Sequence, residues 1–232
     1  MSLKDDLDRF VEDSFSGVWT RREGQKVPET DHLTLKNDAL DLEATVLYAD
    51  LADSTGLVND RPDWFAAKVY KTFLYCAAKI IRDNDGSVTA YDGDRVRGVF
   101  IGASKNSNAA KAALQIRWAV DNIVSAKMNA RYTENKFVLK HKVGIDTSKV
   151  MVARTGIRGS NDLVWVGNAA NNAAKLAALD RGYTTYISAE TDSRLAVWAK
   201  MGGDPKRSMW VDLGSGALGY RIYGSTWRWR IK

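Results

Sequence analysis

The sequence has few of the residues that build disulfide frameworks and zinc sites. Its 232 residues include one cysteine, Cys76, and two histidines, His32 and His141. A single cysteine excludes an internal disulfide, and these three side chains are too few for the four ligands of a structural zinc site. The scarcity of histidine also disfavours a serine–histidine hydrolase. We therefore expect oxygen ligands for any metal ion, and we interpret Cys76 as a small buried hydrophobe.

Long hydrophobic runs are also missing. No apolar stretch approaches the roughly 20 residues that span a bilayer, and the N-terminus lacks the apolar core of a secretory signal. We therefore expect a cytoplasmic protein without stable membrane binding. Apolar residues make up 45% and charged residues 27% of the chain, which is the balance of an ordinary globular protein.

Basic charge is present but scattered along the chain. There are 34 Lys and Arg against 28 Asp and Glu, which gives a net charge of +6. Such a balance suits polyanionic partners, including phosphate-rich small molecules. Only Arg21, Arg22 and the tail 227–232 concentrate the positive charge, so we expect no stable nucleic-acid binding.

Strand and helix patterns alternate, with hairpins between them. Residues 1–40 are interpreted as an N-terminal helix (3–19) with a connector, and residues 41–232 as the main domain. This order predicts an α+β fold, a ferredoxin-like mixed sheet with helices packed on one face. The predicted strands are 44–49, 87–91, 95–101, 137–145, 149–152, 162–166, 184–188 and most of the last 25 residues. Residues 227–230 alternate like an amphipathic edge strand, which we interpret as packing or a dimer contact rather than membrane binding. The predicted helices are 62–82, 107–128, 168–179 and 190–199.

Two aspartates stand where predicted strands end. Asp50 follows a buried strand at the start of a loop, and Asp94 lies at the tip of the predicted hairpin. Taken singly, the first is a helix cap and the second a turn residue. If their strands are neighbours, the two carboxylates converge and repel each other unless a cation lies between them. Hard oxygen ligands of this kind suit magnesium or manganese.

The loop after Asp50 has the composition of a phosphate-binding turn. Ala52, Asp53, Ser54 and Thr55 precede a helical turn, where free backbone N–H groups can bind a triphosphate. Such loops are common, so this pattern carries little weight by itself.

An alanine-rich helix carries the third group of polar residues. Asn171 and Lys175 are four apart and share a helix face. Asn171 can position a ribose or a reactive oxygen, and Lys175 can neutralise charge on a phosphoryl group. The alternative is a small-residue helix packed on the sheet, with both side chains solvated.

Taken together in their order, these segments resemble the class III nucleotidyl cyclase catalytic domain over residues 42–188. The resemblance implies two divalent metal ions, Mn²⁺ or Mg²⁺, on Asp50, Asp94 and the carbonyl of Leu51. It also implies a nucleoside triphosphate substrate and a homodimer in which Asn171 and Lys175 serve the partner's metals. Lys175 occupies the place of the family's arginine. The matching segments are Tyr48 to Thr55, Gly93-Asp94 with Val99-Phe100, Val143 to Ser148 and Gly167 to Leu176.

The places that read a purine base in this family hold Ala90 and Val164. Neither side chain can form a hydrogen bond with a base edge, so the usual purine discrimination is absent. Tyr91-x-Gly93-Asp94-x-x-Arg97 resembles the bacterial Pycsar pyrimidine cyclases. That resemblance implies cyclic UMP or cyclic CMP as product, antiphage defence and a separate effector, with UTP favoured over CTP. Tyr91 and Arg97 are candidate base or phosphate contacts, or else fill the strand surface.

Three other functions remain open from the sequence. They are a purine cyclase, a nucleotide sensor with the cyclase fold but no turnover, and an RNA-binding module. The basic charge and eight tryptophans suit the RNA-binding module, but the aromatic signature of an RNA-recognition strand is missing.

Overall fold

The computed structural model describes residues 2–133 and 137–232. It confirms the α+β prediction: a mixed sheet forms the centre of the molecule, and helices pack against it. The helices are α1 (Leu3–Ser16), α2 (Ser54–Asp60), α3 (Asp63–Asp83), α4 (Lys105–Ala119), α5 (Ser125–Arg131), α6 (Asn168–Ala177), α7 (Ala189–Ser193) and α8 (Val197–Lys200). The strands are β1 (Thr20–Glu23), β2 (Asp38–Ala52), β3 (Ser87–Asp92), β4 (Arg95–Phe100), β5 (Lys140–Ile157), β6 (Ser160–Val166), β7 (Thr185–Ser188), β8 (Met201–Gly202), β9 (Arg207–Ser208), β10 (Val211–Asp212) and β11 (Ile222–Ser225).

Strand β2 lies in the middle of the sheet, whose order is β10-β11-β7-β5-β2-β4-β3. It runs antiparallel to β4 on one side and to β5 on the other, while β7 is parallel to β5. Val46 and Leu47 point to opposite faces of β2, and both are fully buried. This explains why the strand reads as a continuous apolar run.

Helices cover both faces of the sheet, so the expectation of helices on one face is wrong. Leu47 packs with residues of α3 and α4, such as Phe73 and Leu114. Val46 packs on the opposite side with Ala173 of α6. A face covered by a short helix of small residues is hard to recognise from the sequence, because alanine carries little hydrophobic signal.

One continuous strand, β5, replaces the two predicted at 137–145 and 149–152. It pairs with β2 without interruption from Lys140 to Ala153. The polar triplet Asp146, Thr147 and Ser148 suggested a break. In the structure Asp146 and Thr147 are buried, and Thr147 shares hydrogen bonds with side chains of neighbouring elements. Internal polar partners therefore allow the strand to continue.

Other boundaries also differ from the predictions. The helix predicted at 107–128 is α4 followed by a π turn (Val120–Val124) and α5, and the one at 190–199 is the pair α7 and α8. The edge strand expected at 227–230 is wrong, since that segment joins no sheet. The interpretation of this segment as a packing element is confirmed, because Trp227 and Trp229 pack on the core and the Trp229 backbone N–H donates to the Leu114 carbonyl at 3.0 Å.

The N-terminal segment joins the sheet before residue 40. Strand β1, which the sequence did not predict, pairs in parallel with the start of β2, and Leu33 is buried in the core. The division expected at residue 40 therefore falls inside β2. In the described part of the chain, no helix is long and apolar enough to cross a membrane.

Candidate active site

The structure brings Asp50 and Asp94 to the same end of two paired strands. Asp50 lies opposite Arg95 in the β2–β4 register, and Asp94 immediately precedes Arg95. Gly93 takes a left-handed conformation, with φ of 59°, in the tight turn between β3 and β4. This turn is the reason for a glycine there. Asp50 itself is part of β2, which ends at Ala52, so its interpretation as a loop residue is corrected.

Arg95 is the direct partner of Asp50. Its Nε and Nη2 donate to Oδ2 of Asp50 at 3.1 and 2.7 Å. Burial raises the pKa of the Asp50 carboxyl, Arg95 opposes that shift, and the charges of Asp94 and Asp92 reinforce it. Because both donors use the same oxygen, Oδ1 of Asp50 is left for another ligand.

Asp94 has a buried oxygen without a partner. Its Oδ2 is out of contact with solvent and accepts no hydrogen bond from the residues that the structure describes. A buried carboxylate oxygen in that state is costly unless a cation or donor meets it. The pair therefore has the donor chemistry that a divalent cation requires.

The described residues contain no group of three or more His, Cys, Asp and Glu side chains arranged to hold a metal ion. Two carboxylates are nevertheless enough for a Mg²⁺-type ion that also binds waters and substrate phosphates. Leu51 packs its side chain in the core, and because that side chain has no ligating atom, only its backbone carbonyl can contribute a ligand.

The predicted phosphate loop is shorter than expected. Ala52 ends β2, Asp53 alone forms the connection with φ of 63°, and Ser54 and Thr55 already lie in α2. A Cβ on Gly56 would lie 2.7 Å from Oδ1 of Asp53. Glycine at that place therefore gives the Asp53 side chain room beside the first turn of α2.

Asn171 and Lys175 both lie on the exposed face of α6. Neither side chain has a hydrogen bond or ion pair with another residue in the part of the chain that the structure describes. The adjacent Asn172 donates to Oδ2 of buried Asp146 at 2.9 Å, which fixes the rotation of α6. Asn171 and Lys175 consequently point away from the chain that carries them.

The candidate base contacts occupy different environments. Ala90 and Arg97 are cross-strand partners. Arg97 donates from Nε to Oγ1 of Thr89 at 2.8 Å, and its guanidinium lies 5.4 Å from the ring centroid of Trp165. Tyr91 is 58% exposed.

Val164, on β6, is 40% exposed. The contacts with Thr89 and Trp165 hold Arg97 in place, whereas Tyr91 and Val164 lie at the surface.

Sequence reasoning missed Arg95. Its position directly after Asp94 was a usable signal, because an antiparallel hairpin beside β2 places it opposite Asp50. Recognising it required the register of two strands that are 45 residues apart.

No protein-family model matches the sequence. The chain is 53% identical to a uridylate cyclase of Xanthomonas perforans and 48% identical to a uridylate cyclase of Burkholderia cepacia, with the whole of each chain covered. Among solved structures, an adenylyl cyclase from P. aeruginosa matches with a TM-score of 0.68 and 21% identity, over 83% of this chain and 97% of that one. A guanylyl cyclase matches with a TM-score of 0.67 and 16% identity, over 82% and 94%.

Proposed function

Since this chain belongs to the uridylate cyclases, pyrimidine nucleotidyl cyclases with the class III cyclase fold, we propose that it converts UTP to 3′,5′-cyclic UMP and pyrophosphate. UTP is favoured over CTP because both full-length relatives are named for uridylate. The ribose 3′ oxygen attacks the α-phosphorus and loses its proton. The bond from that phosphorus to the bridging oxygen of the pyrophosphate breaks.

The observation that carries this proposal is the pair Asp50 and Asp94, in which the buried Oδ2 of Asp94 has no hydrogen-bond partner among the described residues. Asp50, Asp94 and the Leu51 carbonyl would hold two divalent ions, Mn²⁺ or Mg²⁺. When bound, these ions would supply Lewis-acid polarisation of the triphosphate and of the 3′ hydroxyl. Arg95 keeps Asp50 oriented, so that one carboxylate oxygen faces Arg95 and the other faces the site.

Triphosphate binding is assigned to the start of α2. The chain passes from the end of β2 into α2 close to Asp50, through Ala52, Asp53, Ser54 and Thr55. The first N–H groups of a helix have no partner within the helix and attract anions. This turn would therefore hold phosphate oxygens close to the metal-binding carboxylates.

A second copy of the chain would complete the site. The side chains of Asn171 and Lys175 are exposed and form no hydrogen bond or ion pair with the described residues, so a homodimer with shared sites gives them a function. In that arrangement Asn171 would orient the ribose. Lys175 would neutralise charge that develops on the phosphoryl group.

The pyrimidine base is assigned to Arg97. Ala90, directly opposite on β3, is too small to reach a base, and Arg97 extends from the adjacent strand. Its contacts with Thr89 and Trp165 pre-orient the guanidinium. Arginine N–H groups match the carbonyl oxygens of a uracil ring. Tyr91 and Val164 would contribute only surface next to it.

Product identification tests the proposal. The protein is incubated separately with ATP, GTP, CTP and UTP plus Mn²⁺, and the cyclic product is identified by mass spectrometry. Cyclic UMP should dominate. Cyclic AMP or cyclic GMP as the main product would contradict a pyrimidine cyclase. Cyclic CMP as the main product would contradict the preference for UTP over CTP. Triphosphate binding without pyrophosphate release would favour the nucleotide sensor, and salt-sensitive RNA binding without turnover the RNA module.

The site itself is tested with Asp94→Asn. Loss of the charge should lower the rate of cyclisation by about 100-fold or more, since a metal ligand contributes several kcal/mol to transition-state stabilisation. Asp92→Asn is the matched control, because Asp92 lies in the same hairpin but is exposed. Equal activity of the Asp94→Asn variant and the wild type would exclude the assigned metal site.

The biological setting is proposed from the resemblance to the Pycsar cyclases. The cyclic nucleotide would act on a separate effector in the cytoplasm during phage infection. Plaque counts on cells carrying the wild-type or the Asp94→Asn protein together with the effector test this. Equal plaque counts would contradict a role in defence.

A further inference from the structure

Helix α1 presents an apolar face that no other part of the described chain covers. None of its 14 residues is buried. Leu7, Phe10 and Phe15 are 54%, 60% and 89% exposed, and Val18, two residues after the end of the helix, is 91% exposed. A helix of this length, about 21 Å, is marginal in water and is normally stabilised by packing of its apolar face. The N-terminal cap at Ser2 and the exposed ion pairs of α1 do not replace that packing.

The open face continues onto the β5–β6 hairpin. Phe10 lines two adjoining clefts, of about 920 and 340 Å³. The first reaches Ile157 at the hairpin tip, which is 72% exposed. The second is lined by Phe15, Trp19 and Val164. Val164 is the residue in the base-reading place, so the apolar surface of α1 borders the region where the second copy is proposed to complete the site.

The charge of α1 selects among possible occupants. Residues 3–16 carry five acidic and two basic side chains. Helices that lie on anionic membranes are rich in Lys and Arg on their polar face, so this helix is unsuited to a membrane surface. The whole chain has a net charge of +6 although α1 is acidic. The remainder of the chain is therefore strongly basic. A second copy therefore offers both an apolar surface and charge complementarity.

We propose that the apolar face of α1 docks on a second copy of this chain, at the border of the surface that carries Val164. This inference rests on the proposed function, because the dimer is the homodimer in which both chains contribute residues to each active site. The helix acts as a clamp that strengthens the dimer beside the base end of each site.

Dimer affinity tests the clamp. Leu7→Ser with Phe15→Ser removes the apolar face, and Asp8→Glu with Glu12→Asp, which keeps the acidic charge, is the matched control on the polar side of the same helix. Dimer dissociation constants are measured by sedimentation equilibrium, and far-UV circular dichroism verifies folding. The apolar variant should raise the dissociation constant at least about tenfold, and the control should leave it unchanged. Both substituted apolar side chains are exposed, so folding does not depend on them.

Three outcomes overturn the clamp: a wild-type protein that is monomeric at every concentration, an apolar variant that dimerises like the wild type, and equal weakening by the control. Co-sedimentation with vesicles of phosphatidylglycerol and phosphatidylcholine, lost in the apolar variant, would also overturn it in favour of a membrane. Cyclase activity of the wild type, measured beside the dimer affinities, separates the two proposals. An inactive wild type with an α1-dependent dimer refutes the cyclase function alone, whereas an active wild type with an α1-independent dimer refutes the clamp alone.

Discussion

Burial of single charged or titratable groups dominates the chemistry at the residue scale. Asp50 keeps a carboxylate in a partly buried place because Arg95 donates two hydrogen bonds to it. His141 has no charged hydrogen-bond partner among the described residues. It is buried beside Phe73, with ring centroids 5.8 Å apart, and its Nε2 has no hydrogen bond in the described chain. Burial lowers the pKa of His141 from 6.5 to about 3.

The His141 shift predicts loss of stability in acid. At neutral pH the ring is uncharged in both states. As the pH falls below 6.5, the unfolded chain takes up the proton first, so the free energy of unfolding decreases until the folded pKa is reached. The slope is at most about 1.4 kcal/mol per pH unit. Urea unfolding at about pH 7 and about pH 4.5 should therefore give His141→Phe a smaller loss than the wild type, by about 2–3 kcal/mol.

His32→Gln is the control for this titration, because His32 is exposed. It should retain the acid sensitivity of the wild type. The same pH dependence in His141→Phe and in the wild type would show that other groups cause the loss.

At the scale of elements, the contact between α6 and β5 decides where Asn171 and Lys175 point. Gly144 lies directly beneath α6. A Cβ at this position would overlap the Ala173 carbonyl oxygen and the Ala177 nitrogen. Both are backbone atoms and cannot turn aside, so only glycine allows this approach.

Gly144→Ala should therefore displace α6 and destabilise the protein by about 2–3 kcal/mol, as overpacking does in a rigid core. Urea unfolding measures the stability, and cyclase activity reports the displacement of Asn171 and Lys175. Ile145→Val is the control in the same strand, with an expected cost of about 1 kcal/mol and near-normal activity. Unchanged stability in Gly144→Ala would contradict the close packing.

At the scale of the whole molecule, the proposed dimer makes two kinds of inactive chain complementary. Asp94→Asn damages the metal half of a site, and Lys175→Ala damages the half given to the partner. In a mixture, half of the dimers are mixed, and each mixed dimer has one intact site of two. Activity should recover to roughly a quarter of the wild-type value.

A mixture of Asp50→Asn with Asp94→Asn is the control for this experiment. Both changes affect the same half of the site, so no activity should return. Recovery in the control, or none in the complementary mixture, would contradict sites shared between two chains.

Much of the fold could be predicted from the sequence because the patterns that fix it are local. The buried run before Asp50, the Asp-Gly turn before Asp94 and the apolar stripe of α3 are each visible within a few turns or strands of chain. The ordered resemblance from Tyr48 to Leu176 indicated the family without tertiary information. The sequence by itself therefore determined the α+β class and the nucleotidyl cyclase family.

The tertiary structure decided what depends on distant partners. Asp146 and Thr147 look like a strand break until Asn172 and Asn106 satisfy them. Arg95 becomes the partner of Asp50 only through the register of β2 and β4. The exposed face of α1 resembles any amphipathic helix in sequence, and only the fold leaves it uncovered. Hydrophobic periodicity records that a side chain is buried, but the identity of its neighbours depends on pairings between residues far apart in the chain.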